Sequence, residues 1–264
     1  MAPASAPLSI NLAESFEHLS HAPISEAVFQ ITGRVPSAWD EKPTVENLKS
    51  HLPDYPLHQS LRSIQQKVNL SPSQPPTQSV DLGWNGAVFR NLPGTQVANF
   101  HRDSFSFSRL APYENWKSFS SEAIRLYTFH LEQSQLPLVQ RIGLRFVNQF
   151  DAPAGRFDIG DFFTQSLSLP QQELPLTRAL FFHQDTFMVP GHDYGVTITR
   201  TLQPEMPTPA GPAAPKLILD IDVFTTEPSP ADPVQIRARL EEMRWLKNKM
   251  FFGSLTPATI ESFR

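Results

Sequence analysis

Two arginines on one face of a strand-like segment are the first residues whose chemistry we consider. In RIGLRFVNQFD (141–151), a period of two places Arg141 and Arg145 opposite an apolar face. Together with Arg109 from an earlier strand, they could form a fork-like site for a carboxylate or phosphate. The alternative is a structural role in cross-strand ion pairs with Asp220 or Asp222, which would neutralise the arginines.

Four acidic and imidazole side chains offer a second kind of chemistry, that of divalent metals. Asp220 and Asp222 in LDID share one face of a strand, and His183 and Asp185 in FFHQDTF share one face of another. If the strands lie close together, this set could bind a divalent metal ion. The alternative is that all four are solvated positions on alternating strands, and no other cofactor is predicted.

The segment APYENW (111–116) is typical of a helix entry. We expect Pro112 and Tyr113 to form a turn, Asn115 to cap the helix and Trp116 to anchor it on a sheet. An aromatic ligand cage is the alternative interpretation. Asn148 falls on the apolar face of its strand, and a buried amide needs hydrogen-bond partners, so we expect it to hold a neighbouring backbone segment.

These residues have to be positioned by elements whose order repeats along the chain. Helical periodicity covers 115–133 and 232–250, and short β-type runs separated by Pro, Gly and Asn lie between the helices. The order predicts an α+β fold of two β-α-β-β-β-α pseudo-repeats, about 20–135 and 136–264. The simplest arrangement is one domain over 20–264, a twisted antiparallel sheet with its helices on one face. Residues 1–19, rich in Ala, Pro and Ser, predict a flexible tail.

The composition excludes several classes of protein. The 264 residues are 40% apolar, which is typical of a globular protein. A net charge of −4 argues against a generic binder of nucleic-acid backbones. The absence of cysteine excludes disulfides and thiolate zinc sites. Because no signal peptide or membrane-length apolar segment is apparent, we expect a cytoplasmic protein that does not enter membranes.

A resemblance to a known family is carried by five sequence blocks. They are PISEAVF, FSRLAPYENW, GLRFVNQF, LDIDVF and LKNKMFFGSLT. In their order and spacing they resemble a sporadically distributed family of uncharacterised bacterial proteins that is defined by a sequence model. The resemblance spans about 20–264 and implies a bacterial, cytoplasmic protein, an accessory component of a defence or mobile-element locus. It supplies no catalytic residue. Phe146 stands where the family commonly has Tyr, so no hydroxyl role is expected there.

No catalytic motif supports a defined reaction, so the sequence favours a binding or adaptor protein over an enzyme. We expect a protein partner or self-association through an open sheet face or the loops at its rim. One alternative is a metal-assisted hydrolase or nucleotide-processing enzyme that uses Asp220, Asp222, His183 and Asp185. Another is a nucleic-acid binder that uses Arg141 and Arg145.

Overall fold

The computed structural model describes residues 6–34, 40–68, 77–153, 157–165, 180–203, 207–208, 211–212 and 215–264. Nine strands form one antiparallel sheet in the order β2-β3-β4-β5-β1-β7-β12-β9-β8. They are β1 (Ile24–Thr32), β2 (Leu57–Val68), β3 (Thr77–Arg90), β4 (Gln96–His101), β5 (Ser104–Leu110), β7 (Arg141–Asp151), β8 (Phe182–Met188), β9 (Tyr194–Gln203) and β12 (Lys216–Thr225). The predicted α+β class with a large antiparallel sheet is confirmed.

Four two-residue strands lie outside this sheet and form two small ladders. They are β6 (Leu138–Val139) paired with β13 (Ser229–Pro230), and β10 (Pro207–Thr208) paired with β11 (Gly211–Pro212). The described residues form four α-helices, which are α1 (Glu41–His51), α2 (Trp116–Ser134), α3 (Pro233–Ser254) and α4 (Pro257–Glu261). No helix among the described residues is long and apolar enough to cross a membrane.

Two helix starts follow from capping side chains that the sequence already displays. The Asn115 carboxamide oxygen accepts a hydrogen bond from the Ser118 amide at 2.8 Å, which starts α2 as predicted. The Asp232 carboxylate accepts one from the Val234 amide at 3.0 Å, and Pro233 occupies the first helical position of α3. In both segments, the helix therefore begins directly after the capping residue with which the predicted helical pattern starts.

The hydrophobic core lies between the helices and one face of the sheet. Along β12, every second residue from Leu217 to Thr225 is buried, while the residues between them are partly exposed. On β1 and β7 the same alternation buries Phe29, Ile142 and Leu144. Because side chains of a strand alternate between faces, one face of these strands lies under the helices and the other is open.

Apart from one extra edge strand, the strand order is the same on both sides of the central β1–β7 pair. Moving outward, the first half runs β1, β5, β4, β3, β2 and the second half runs β7, β12, β9, β8, so β2 has no counterpart among the described strands. In each half a long helix follows the strand next to the centre: α2 follows β5 and α3 follows β12. One sheet thus crosses the boundary between the two predicted pseudo-repeats, and the internal duplication itself stays a prediction.

The chain before β1, predicted to be a flexible tail, makes defined contacts from residue 6 onward. The Leu8 amide donates to the Pro190 carbonyl at 2.8 Å, and Phe16 stacks on Phe252 of α3 with ring centroids 5.8 Å apart. Glu14 accepts hydrogen bonds from Trp245 and Lys249 at 2.9 and 2.5 Å. The apolar side chain of Phe16 and the acidic side chain of Glu14 thus attach this Ala/Pro/Ser-rich segment to α3. The composition of the segment alone did not predict these contacts.

Leu219 tests the assignment of faces, because its neighbour Ile218 supplies a matched control. Leu219 of β12 is completely buried, whereas Ile218 is partly exposed on the open face. We expect Leu219→Ala to lower the free energy of unfolding by about 2–5 kcal/mol because a cavity forms in the core. Ile218→Ala should cost about 1 kcal/mol or less. Urea denaturation measures both, and equal losses would contradict the face assignment.

Candidate functional site

Arg141 and Arg145 lie on the open face of β7 and are paired with aspartates of β12. Arg145 donates to both carboxylate oxygens of Asp220 at 2.8 and 2.6 Å, and Arg141 donates to Asp222 at 2.7 Å. Burial raises the pKa of Asp222, and Arg141 offsets part of that increase. The cross-strand ion pairs, the structural alternative for these residues, are therefore the observed arrangement, and both guanidinium groups already hold a carboxylate.

Two glycines let bulky side chains lie flat on this open face. A Cβ atom at Gly143 would stand 2.6 Å from the Arg141 guanidinium, and one at Gly195 would stand 2.5 Å from the ring of Phe224. The guanidinium carbon of Arg141 in turn lies 5.0 Å from the centre of the Phe224 ring. The open face thus carries a packed layer of charged and aromatic groups, which restrains Arg141 further.

Arg109 is separated from the other two arginines by the sheet. Its partner across β1 is Ala27, which is buried on the helix face, so Arg109 points to the helix side. There it donates to Glu114 at 2.6 Å and to the Pro112 carbonyl at 3.3 Å. The three arginines therefore do not form one anion site. The period of two along a strand predicts that Arg141 and Arg145 share a face of the sheet. It does not predict on which face Arg109, a residue of another strand, will lie.

The predicted metal ligands are likewise divided between the two faces. His183 lies opposite Arg200 of β9, and Arg200 lies opposite the buried Leu219, so His183 and Asp185 are on the helix face. Asp220 and Asp222 are on the open face beside the arginines. The proposed cluster of four is therefore not assembled, and no group of three or more such side chains in the described part of the chain is placed to hold a metal.

A buried arginine occupies the space that His183 and Asp185 share. The Arg200 side chain is 4% exposed, and it lies 3.0 Å from Nδ1 of His183 and 3.4 Å from the Asp185 carboxylate. Because a guanidinium only donates hydrogen bonds, Nδ1 of His183 is the acceptor. A second cation would be repelled at this position. The His183–Asp185 pair is thus part of a structural ion cluster.

The segment APYENW enters α2 as predicted, but its tryptophan has a different partner. Trp116 donates from Nε1 to Glu241 at 2.8 Å, and the Arg244 guanidinium lies 5.3 Å from its ring. Trp116 therefore connects α2 to α3 instead of anchoring α2 on the sheet. Pro112 follows a cis peptide bond, and Tyr113 packs edge-on against Phe146 with ring centroids 5.7 Å apart.

These aromatic residues form the wall of a cleft of about 510 Å³ beside α3, which we call the α3 cleft. It is bounded by α3, the loop 111–115, β7 and the N-terminal segment 16–22. Its volume falls in the range of small-molecule sites, roughly 300–1,000 Å³. The residues that matter for its chemistry are Tyr113, Trp116, Phe146, Asn148, Arg244 and Lys247.

Lys247 is the most unusual charged group of the α3 cleft. Its Nζ lies 4.3 Å from the centre of the Phe146 ring, and within the described residues it has neither a hydrogen bond nor an ion pair. Burial, and to a smaller extent the charge of Arg244, lowers the pKa of the ammonium to about 7. At neutral pH the side chain is therefore a mixture of a cation and a neutral amine.

Two further polar groups of the α3 cleft have unused hydrogen-bonding capacity. Burial raises the pKa of the Tyr113 phenol far above its usual value, so this hydroxyl remains a donor, and no acceptor for it lies among the described residues. Asn148 donates to the Leu219 carbonyl at 2.9 Å, which confirms its expected role of holding a neighbouring backbone segment. Its carboxamide oxygen accepts no hydrogen bond from the described residues.

The sequence analysis did not select Lys247, although a signal was present. Met243, Leu246 and Met250 form the apolar stripe of α3, and Lys247 lies four residues after Met243, on the edge of that stripe. A lysine facing the buried side of a helix needs a partner or a function.

The lowered pKa of Lys247 predicts a characteristic pH dependence of stability. Lys247 loses its proton near pH 7 in the folded protein, but near about 10.4 in the unfolded chain. Between these values the unfolded state binds one more proton, so the free energy of unfolding should rise with pH through this window. Lys247→Met should lack that rise, and the exposed Lys117→Met should keep it. Urea denaturation from pH 6 to about 10 tests this, and parallel curves for all three proteins would contradict it.

The chain was also compared with known proteins. No family model matches it, and no curated protein or solved structure is significantly similar to it. The resemblance carried by the five sequence blocks therefore stays a prediction. Function has to be argued from the geometry of the described residues.

Proposed function

We propose that the protein is a binding protein that holds a small anionic ligand with an aromatic or apolar body in the α3 cleft. The observation that carries this proposal is Lys247, a partly buried lysine with no ion-pair or hydrogen-bond partner among the described residues. This keeps the expected class of a non-enzymatic binding protein, and it moves the site from the open sheet face to the cleft.

The energetics of an unpaired cation support this choice. Burying an ammonium group without a partner is unfavourable, and this cost lowers the pKa of Lys247. Every other side-chain cation discussed so far, apart from the exposed control Lys117, has an acidic partner within 4 Å. A carboxylate or phosphate entering the α3 cleft would supply the missing partner of Lys247, and its binding would restore the proton.

The walls of the α3 cleft define the remainder of the ligand. Trp116 and Phe146 offer aromatic surfaces, and Tyr113 offers both a ring and a hydrogen-bond donor. Such aromatic surfaces favour a ligand with a flat body over a hydrated ion. We therefore expect ligands in which a single anionic group is attached to an aromatic or apolar frame.

The other functions considered from the sequence have less support from the geometry. Arg141 and Arg145 are neutralised by Asp220 and Asp222, which weakens the proposals of an anion site or a nucleic-acid surface on the open face. The metal-dependent alternative is weakened because its four residues lie on opposite faces. An adaptor role with a protein partner or self-association, the bacterial origin and the cytoplasmic location all stay predictions.

Calorimetric titration with phenylphosphate, benzoate and benzenesulfonate tests the proposal. We expect at least one of them to bind, and Lys247→Met to weaken that binding by about 10- to 100-fold because a charge-assisted hydrogen bond is lost. Lys117→Met, which removes an exposed lysine of α2, should leave the affinity unchanged.

The pH dependence supplies a second readout of the same site. Because the binding anion favours the protonated amine, the affinity should fall as the pH rises from 7 to about 9, and binding near pH 8 should take up a proton. Proton uptake is measured by repeating the titration in buffers of different ionisation enthalpy. Failure of all three anions to bind, or equal affinity of Lys247→Met and the unmodified protein, would contradict the proposed function.

A further inference from the structure

We propose that Lys247 captures its ligand covalently, by forming a reversible imine with an aldehyde or ketone group, while Arg244 holds the anionic group of the same molecule. This inference rests on the proposed function, because it concerns the same cleft, and it names the ligand class as anionic carbonyl compounds. The side chains that carry it are Lys247 and Arg244 of α3, together with Tyr113, which contacts the same Phe146 ring as Lys247.

The spacing on α3 places two basic groups next to each other with different environments. Arg244 and Lys247 are three residues apart, so they lie on neighbouring positions of the helix surface. Arg244 lies over the Trp116 ring at 5.3 Å, and its closest approach to Glu241 is 3.6 Å, a loose pairing that leaves guanidinium hydrogens free. Lys247 lies on the Phe146 ring without a partner among the described residues. In an anionic carbonyl compound, Arg244 can thus hold the anion while the neutral amine of Lys247 reacts, whereas a simple anion such as benzoate contacts the protonated Lys247.

Reactivity requires the neutral amine, which the surroundings of Lys247 favour. With the pKa near 7, about half of the side chains carry a free lone pair at neutral pH, against roughly one in 2,500 for an ordinary lysine. The other ionisable groups that line the α3 cleft are Glu17, His18, His21, Tyr113, Glu114 and Arg244. Glu17 is paired with Arg264 and Glu114 with Arg109, so neither carboxylate stabilises the Lys247 cation.

The reaction balances without an oxidant, a reductant or a second substrate. The Nζ lone pair attacks the carbonyl carbon, the C=O π bond becomes a C–O single bond, and a proton moves from nitrogen to oxygen to give a carbinolamine. Loss of one water then forms the C=N bond, and hydrolysis reverses both steps. The Tyr113 phenol, which stays protonated, donates a hydrogen bond to the carbonyl oxygen and then to the departing hydroxyl.

Reductive trapping with 4-formylbenzoate tests the inference directly. The protein is incubated with this anionic aldehyde and cyanoborohydride at pH 7, and the modified lysine is identified by peptide mapping. We expect labelling at Lys247 to be on the order of a hundredfold faster than at Lys117, because its unprotonated fraction is so much larger. Labelling at Lys247 that is no faster than at Lys117 would overturn the proposal.

Arg244 is tested by comparing two aldehydes. Arg244→Met removes a charge that lowers the pKa of Lys247, so it should slow labelling by uncharged benzaldehyde slightly, and it should slow labelling by 4-formylbenzoate about tenfold more than that. Lys117→Arg is the control that should behave as the unmodified protein in both reactions. Equal slowing with both aldehydes would overturn the role of Arg244, because it would report the higher pKa of Lys247 or a disturbed helix and not a lost anion contact.

Benzoate, which has the anion but no aldehyde, separates this inference from the proposed function. Binding of benzoate without a trapped aldehyde adduct overturns the imine and leaves the binding function standing. A rapid adduct at Lys247 without binding of any simple anion supports the reactive lysine and overturns the proposed anion site. Binding and trapping together, both lost in Lys247→Met with a midpoint of thermal unfolding that is not lowered, support both.

Discussion

The antiparallel register between β1 and β7 is the constraint on which the rest of the structure depends. Phe29 lies opposite Leu144 and Ile31 opposite Ile142, all on the helix face, while Val28 lies opposite Arg145 on the open face. A slip of one residue would exchange the two faces of a strand, burying a charged side chain under the helices. The same register places Phe146 and Asn148 beneath α3. The core and the floor of the α3 cleft are therefore fixed by one set of strand pairings.

The sequence predicted the sheet and the long helices because each follows a simple period over many residues. It also predicted the two possible roles of Arg141 and Arg145, since both act within one strand and its neighbour. The prediction of a metal cluster was wrong for a physical reason. The alternation of side chains along a strand predicts that Asp220 and Asp222 share a face, but it does not predict whether His183 of another strand lies on that face. The sequence did not predict the α3 cleft, because its walls come from segments that lie far apart in the chain.

Charge pairing distinguishes the open sheet face from the α3 cleft. On the open face, Arg141 and Arg145 are paired with carboxylates, and such pairs contribute shape and register more than stability. Lys247 in the α3 cleft has no carboxylate partner among the described residues, and its ammonium group lies on the ring of Phe146 instead. A ring face attracts a cation weakly and leaves a neutral amine undisturbed, so the protonation state there is set by what enters the α3 cleft.

The N-terminal segment gives the α3 cleft two walls of unequal strength. The sheet and α3 belong to the cooperative core, whereas residues 16–22 are held by the stack of Phe16 on Phe252, the buried Leu19, the exposed ion pair of Glu17 with Arg264 and a main-chain hydrogen bond from His21 to Phe263. Exposed ion pairs are screened by salt, so this wall can detach at a fraction of the cost of unfolding. For a ligand bound as proposed, local opening of the N-terminal segment would then set the rate of exchange, and that rate would depend on ionic strength while the sheet stays intact.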